Sequence, residues 1–532
     1  MTTILSRKIY GSHCLYLLPL YLLMVVCSAE ENVITPTQFI TDSQTLTSPG
    51  EIFQLGFFSP VNTTNRYVGI WYNKIPVENI VWVANRATPL KDSSGTFRIA
   101  SDGNLVISDG RGIVHWTTNV SNFATRNSSA AELSDTGNLA FRLVDDDTGG
   151  VLWQSFDSPT DTFLPLMKIG GSSLTGAKRE LTSWKHASDP SVGIFSAGLD
   201  LVDNIPQLVV SSNASKRLWR SGVWNSKIFV GMPNLESVYN DGFYLTKDTK
   251  DKSIYISFDY LDKSRKQKYV LGYRGELFAE TWNEEKREWS RSWSTQDDKC
   301  ETYAMCGPFS SCNTLDSPIC SCLVGFAPKS EDEWSKGNWS GGCVRKTPLS
   351  CQNSSLGDDG FMKLATMKVP DFAIWSYTNK TKECKAECLA SCSCIAYSYD
   401  SGVGCMTWDG NLVDMQKFNQ SGEDLYIRLA HSDLIGNRKV TIMIVVLVGT
   451  FAFTVCVFFI GKWLVKRRGK HKKNGGNKLN SGSIIDEPQV PNMLGDDSEH
   501  LEVYKLEEIA IATNNFSEDN KLGKGGFGVV YK

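Results

Sequence analysis

The stretch from Val440 to Ile460, VTIMIVVLVGTFAFTVCVFFI, divides this chain more sharply than any other feature. It runs for twenty-one residues without a charge. A helix of that length, at about 1.5 Å of rise per residue, matches a hydrocarbon core about 30 Å thick. Gly449 and the hydroxyls of Thr441, Thr450 and Thr454 are compatible with it, because a threonine bonds back to the preceding turn. One transmembrane helix is therefore expected over 440–461. Arg438 and Lys439 precede it, whereas Lys462, Lys466, Arg467, Arg468, Lys470, Lys472 and Lys473 crowd behind it. The positive-inside rule then places the C-terminal side in the cytoplasm and everything before Val440 outside.

A chain of 532 residues is too long for one core and implies several domains. Its net charge of −3 carries no nucleic-acid signature, so no nucleic-acid partner is expected. Of the fifteen cysteines, twelve fall between Cys300 and Cys405. An even number confined to one outward-facing region indicates disulfides made in an oxidising compartment, and no metal site.

Residues 1–29 open with Arg7 and Lys8, continue in an apolar run and end in Cys27-Ser28-Ala29. That is the pattern of a cleaved secretory signal peptide, too short to be a second span. Eight Asn-x-Ser/Thr sequons follow on the outward side, at Asn62, Asn119, Asn127, Asn213, Asn338, Asn353, Asn379 and Asn419. Their location makes them expected N-glycosylation sites. Asn515 fits the pattern but lies on the cytoplasmic side.

From Glu31 to Arg142 short alternating strands stand between turns, as in Tyr67–Tyr72 and Ile80–Ala84. An internal repeat is visible. Asp102-Gly103-Asn104-Leu105-Val106 leads to Trp116, and Asp135-Thr136-Gly137-Asn138-Leu139-Ala140 leads to Trp153. Repeated strand–turn units with one tryptophan each imply similar sheets around a shared aromatic core. These residues resemble the bulb-type, mannose-binding lectins of plants, whose sugar strand reads Gln-x-Asp-x-Asn-x-Val-x-Tyr. Asp102, Asn104 and Val106 hold their places, but Ala100 stands where Gln is expected and Ser108 where Tyr is. A pocket lacking half its polar set would leave sugar hydroxyls unpaired, so the fold is expected without mannose binding.

Further motifs extend the likeness. Gly69-Ile70-Trp71-Tyr72, Val81-Trp82-Val83-Ala84-Asn85-Arg86, Leu152–Thr162, Leu181-Thr182-Ser183-Trp184, Arg220-Ser221-Gly222-Val223-Trp224-Asn225 and Gln296-Asp297-Asp298-Lys299-Cys300 occur in order. In these the chain resembles the plant S-domain receptor kinases, the G-type lectin S-receptor-like serine/threonine kinases, whose soluble relatives are the S-locus glycoproteins. The resemblance implies a bulb-type lectin domain over 30–150 and a second lectin-like β domain, the S-locus glycoprotein domain, over 151–295. An EGF-like module over 296–343 and a PAN/apple domain of α+β type over 344–430 follow.

Spacing alone leaves the connectivity of each six-cysteine cluster open. The family resemblance implies Cys300–Cys312, Cys306–Cys320 and Cys322–Cys343 in the first cluster. For the PAN-like second cluster it implies Cys384–Cys405 and Cys388–Cys394, which leaves Cys351 to Cys392.

After the span, 462–503 is rich in Lys, Gly, Asn and Ser and is expected to be a disordered juxtamembrane linker. Its basic start should lie against anionic lipid. The chain closes on Leu522-Gly523-Lys524-Gly525-Gly526-Phe527-Gly528-Val529-Val530. This resembles the glycine-rich loop of a protein kinase, with Leu522, Gly523, Gly525, Gly526, Gly528 and Val530 in the nucleotide-binding places, so that 504–532 resembles the start of a kinase N-lobe. No counterpart of the β3 lysine, the catalytic aspartate or the magnesium ligands follows. The chain as given is expected to hold no catalytic residues and no cofactor, with ATP and magnesium belonging to a longer parent. Residues 521–532 alone are expected to be disordered.

The expected fold is thus mainly β: two bulb-lectin-like prisms, the two cysteine-rich modules, one membrane helix and the opening of a kinase. The expected function is that of a single-pass type I plasma-membrane receptor kinase, of the class that recognises pollen or serves defence and development. Its partners would be an extracellular peptide, protein or small molecule and a second receptor chain, as homo- or heterodimer. A non-signalling decoy and a working carbohydrate-binding lectin are the competing readings. His13, His115, His186, His431, His471 and His500 are scattered and pair with no obvious nucleophile, which argues against a secreted hydrolase.

Overall fold

The computed structural model describes residues 32–75, 79–120, 129–144, 150–200, 206–213, 215–232, 242–352, 359–434, 450, 454–455, 457, 460, 462, 506–525 and 528–532. They fall in two units, divided between Val446 and Leu447.

In the larger unit, short apolar strands first form three four-stranded antiparallel sheets. One pairs Thr45–Thr47, Phe53–Phe58, Tyr67–Tyr72 and Ile80–Val83 in that order. The second pairs Phe39–Thr41, Thr96–Ile99, Leu105–Ser108 and Val114–Thr117. The third pairs Val33–Ile34, Ser129–Leu133, Leu139–Leu143 and Val151–Gln154. Each sheet sends one tryptophan from its last strand to a common centre. The ring centroids of Trp82 and Trp116 are 6.1 Å apart, those of Trp82 and Trp153 5.8 Å, and those of Trp116 and Trp153 5.4 Å. Edge-to-face contacts of this kind add to what burial alone contributes.

The sequence repeat exposes two of these three units. The turns of those two are built alike. Gly103 and Gly137 sit at φ of 82° and 83°, a region that a side chain disfavours, and each donates to the carbonyl three residues earlier. The first unit has no such turn, because the longer segment 59–66 joins its strands. The strand Val151–Gln154, placed by the sequence reading at the head of the second domain, pairs with Leu139–Leu143 and completes the first prism.

A second prism repeats the plan with three more four-stranded sheets. Thr162–Phe163 lies beside Gln267–Leu271, Leu277–Asn283 and Glu288–Ser294, while Leu181–His186, Asp189–Asp200, Gln207–Ser212 and Lys216–Arg220 form a meander. The third sheet orders Lys178–Arg179, Ile169–Ser172, Ser253–Asp259 and Gly242–Asp248. Its centre is aromatic again: Trp219 meets Trp293 at 5.6 Å, and Phe163, Phe258 and Tyr269 cluster within 6.3 Å. One apolar cluster runs through both prisms, from Ile34 to Ala279.

The cysteine-rich part does not fold as two separate beads. Its strands share an eight-stranded sheet ordered Cys320–Cys322, Ser310–Cys312, Met415–Lys417, Gly360–Lys368, Glu423–Leu429, Ala396–Asp400, Gly404–Trp408 and Ile374–Ser376. Its parallel seam, Ser311 opposite Met415 and Cys312 opposite Gln416, joins the first cysteine cluster to the second. The structure pairs Cys300 with Cys312, Cys306 with Cys320 and Cys322 with Cys343. It further pairs Cys351 with Cys392, Cys384 with Cys405 and Cys388 with Cys394. Cys384 and Cys388, one turn apart on the helix Thr381–Ala390, turn their buried face to the sheet.

In the smaller unit the helix Leu506–Ala512 precedes Lys521–Gly525, which pairs antiparallel with Gly528–Tyr531. The expectation that 521–532 lacks structure is therefore corrected. Phe516 meets Tyr531 edge-on at 5.4 Å, and Lys532 N–H donates to the Asn520 carbonyl, so the hairpin has local support. Most of the apolar stretch 440–461 lies outside the described residues. The described ones, Thr450, Thr454, Val455, Val457 and Ile460, are helical and exposed. No helix among the described residues is long and apolar enough to cross a membrane.

Candidate functional site

The residues singled out for sugar binding serve the fold. Asp102 accepts from the Asn104 backbone N–H at 3.0 Å and from its Nδ2 at 3.1 Å. Those bonds, the backbone one first, hold the Asp102 carboxyl below its usual range. Asn104 is buried, and its Oδ1 accepts from Thr118 Oγ1 at 3.2 Å and Val120 N–H at 2.7 Å. Val106 is buried, and Ser108 Oγ lies 3.0 Å from Thr96 Oγ1. Asn138 does the same work one repeat later, with Nδ2 on Gln154 and Oδ1 accepting from Ser155 Oγ and Phe156 N–H. The polar set is spent on stapling strand ends, which leaves little for a hexose.

Asn62, Asn119, Asn213, Asn338, Asn379 and Asn419 are all exposed, and the first three occupy left-handed turn positions. Asn127 and Asn353 lie outside the described residues. Gly523, Gly525, Gly528 and Val530 lie on the terminal hairpin, with Leu522 and Val530 exposed, and Gly526 lies outside the described residues. Cys306, Cys312 and Cys320 have sulfurs close enough to suggest a metal centre. All three are tied up in disulfides and offer no thiolate.

What the structure assembles, and the sequence reading missed, is a buried charge cluster where the second prism meets the cysteine-rich sheet. Arg220 Nε donates to Asp414 Oδ2 at 2.7 Å, and its Nη2 reaches the carbonyls of Val369 and Asp414. Lys368 Nζ lies 3.1 Å from the same carboxylate. Asp371 accepts from Arg217, from Gln207 Nε2 at 3.0 Å and from Tyr303 Oη at 2.8 Å. Burial pushes Asp371 up, but Arg220, Gln207, Arg217 and Tyr303 outweigh it and hold it down to about 2. Asp414 is likewise depressed against its burial, by Lys368 and Arg220. Charges this deep are tolerable only when paired and hydrogen-bonded. The strand Lys216–Arg220 carries three charges beside Leu218 and Trp219, so nothing in it singles out Arg220, whose partner lies 194 residues on.

Beside that cluster a cleft of about 440 Å³ opens between the second prism and the shared sheet, walled by Trp293, Glu301, Gln416 and Asn419 among others. Burial pushes Glu301 up, despite the nearby Lys368 and the bond from Trp219 Nε1. A second groove, of about 410 Å³, crosses the second prism beside Gly170, Gly171, Ser172, Glu180 and Arg217.

Three families match along the chain: D-mannose binding lectin over residues 79–185, S-locus glycoprotein domain over 219–330 and PAN-like domain over 351–415. Two G-type lectin S-receptor-like serine/threonine-protein kinases of Arabidopsis thaliana are each 40% identical, over 530 and 533 residues. Those alignments cover 98% of this chain and 63% of each relative, so the chain spans somewhat under two thirds of their length. Among solved structures, a monomeric mannose-binding lectin of Gastrodia elata aligns over 24% of this chain and 96% of its own, at 17% identity and a TM-score of 0.18. With these three domains in this order and that identity along nearly its whole length, the chain belongs to the family of the G-type lectin S-receptor-like serine/threonine kinases.

Proposed function

We propose that the protein is the sensing part of a single-pass plasma-membrane receptor kinase. The two prisms and the cysteine-rich sheet face outward, and 440–461 crosses the membrane. Leu522, Gly523, Gly525, Gly526, Gly528 and Val530 open a serine/threonine kinase that uses ATP and magnesium in the longer protein. The observation that carries this reading is the 40% identity, in register along nearly the whole chain, to relatives named as receptor kinases. The apolar stretch and its one-sided basic flank support the orientation.

The ligand is a peptide, a protein or a small molecule, and receptor chains dimerise on binding it. Mannose is not the ligand, since Asn104 and Asp102 bond to each other and to the strand end beside them. Rigid coupling of the second prism to the cysteine-rich sheet through Arg220, Asp414 and Asp371 suits such a head. Ligand contact on either side would move both together.

The test is membrane topology. The chain with a C-terminal tag is expressed in plant cells and intact protoplasts are treated with protease. The expected result is a glycosidase-sensitive N-terminal portion destroyed from outside and a tag protected until the membrane is opened. A tag cleaved in intact cells, or glycan on Asn515, would overturn the reading.

A further inference from the structure

We propose that the cleft between the second prism and the shared cysteine-rich sheet seats the inner sugars of an N-linked glycan carried by Asn419. The proposal rests on the outward placement of residues before Val440.

Two independent observations meet in this cleft. The first is Gln416, a cleft-lining residue only 5% exposed, whose Oε1 is buried just beneath and accepts no hydrogen bond from the protein. Its backbone is fixed on both sides, opposite Cys312 on one strand and Lys368 on the other, so the side chain cannot leave with a moving loop. A buried acceptor without a donor is costly, and such groups in native proteins have a partner. An acceptor calls for a ligand N–H or O–H. The second observation is Asn419, in the sequon Asn419-Gln420-Ser421, which is exposed two residues beyond the same strand and lines the same cleft.

The walls fit a neutral, hydroxyl-rich occupant. Asp298 and Glu301 supply further acceptors, and Trp293 supplies an aromatic surface against which a sugar ring can lie. Burial raises the Glu301 carboxyl above its ordinary range, against Lys368 and the bond from Trp219. The first sugar on Asn419 is tethered within the cleft, so its effective concentration there is on the order of millimolar or more without any free ligand. Tethering is why this occupant is favoured over a diffusing saccharide. Its N-acetyl N–H or a ring hydroxyl would donate to Gln416 Oε1.

The full chain is expressed in a eukaryotic secretory host and solubilised without unfolding. Site-specific glycopeptide mass spectrometry measures occupancy, and native endoglycosidase release is timed at Asn419 and at Asn379. The expected result is an occupied Asn419 whose glycan is released about tenfold more slowly than that on Asn379. Gln416→Leu should bring the two rates together while leaving Asn379 unchanged. Should Asn419 be bare while Asn62 and Asn379 carry glycan, the cleft has another occupant and the proposal fails with the topology intact. Glycan at none of the sequons overturns the outward placement itself. Occupied Asn419 with release as fast as Asn379 in the unaltered chain shows a glycan that is present but not seated, and overturns the proposal alone.

Discussion

Arg220 and Asp414 meet at 2.7 Å with side chains 0% and 4% exposed, one on the second prism and the other just ahead of the strand Met415–Lys417 of the cysteine-rich sheet. Neither charge is solvated, so each depends on the other and on the carbonyls around them. Replacing Arg220 by Met leaves Asp414 with Lys368 as its one close cation and the Ala304 N–H as a donor, and should destabilise the chain by about 3 to 5 kcal/mol. Chemical denaturation of the purified protein checks this. Arg220→Met combined with Asp414→Asn should recover part of the loss, and two additive losses would show that the pair is not coupled.

Glu423 sets a pH dependence at the same junction. Burial, with Asp400 and Asp424 nearby, raises it to about 7 despite the bond from Asn225 Nδ2. The folded protein then holds a proton that the unfolded chain releases near its ordinary 4.5. This contribution is fully present below that pH and is lost as pH rises through about 7. Asp371 acts in the opposite sense at acid pH: its contribution is present above the ordinary 3.8 and fades as pH falls toward about 2. Melting temperature should therefore decline between mildly acid and neutral pH, and Glu423→Gln should flatten that decline. An unchanged slope in the variant would rule Glu423 out.

The tryptophan trio fixes the first prism. Trp82 is buried and donates Nε1–H to the Ser158 carbonyl at 2.9 Å. Trp82→Ala removes two ring contacts and that bond, with an expected loss of about 3 to 5 kcal/mol. Thermal unfolding followed by near-ultraviolet circular dichroism reports it directly, since the coupled indoles lose their signal together.

Asn104→Ala tests whether the old sugar strand is now structural. It should cost about 1 to 3 kcal/mol by orphaning Val120 N–H. Calorimetric titration with mannose should give no heat in either form. Binding at millimolar or lower concentration that vanishes in the variant would show that the pocket still works.

The segment Lys462–Lys532 by itself should not retain ATP. A glycine hairpin can cover phosphates, but lysine and magnesium ligands do most of the charge neutralisation. Filter binding with labelled nucleotide checks this, and retention that depends on Gly525 would refute it.

Much of the site was not legible in advance. The Gly103-Asn104 and Gly137-Asn138 turns revealed two prism units because φ near +80° favours glycine, a preference visible as a letter. The unit holding Trp82 carries no such mark and emerged only from three rings meeting. Asn104 was readable as a sugar ligand because a motif names residue types. Only the fold shows that its Oδ1 is already taken by Thr118 and Val120.

The sequence by itself determined the cysteine-rich region between Cys300 and Cys405, the β character of the two N-terminal domains and the apolar stretch at 440–461, since composition, period and length are local properties. Only the tertiary structure decided that the two cysteine clusters share one sheet, through Ser311 opposite Met415. It alone brought Arg220 to Asp414 and left Gln416 facing a cleft without a donor. Strand pairing and charge pairing across such separations depend on which surfaces the folded chain brings together, and no local pattern encodes that.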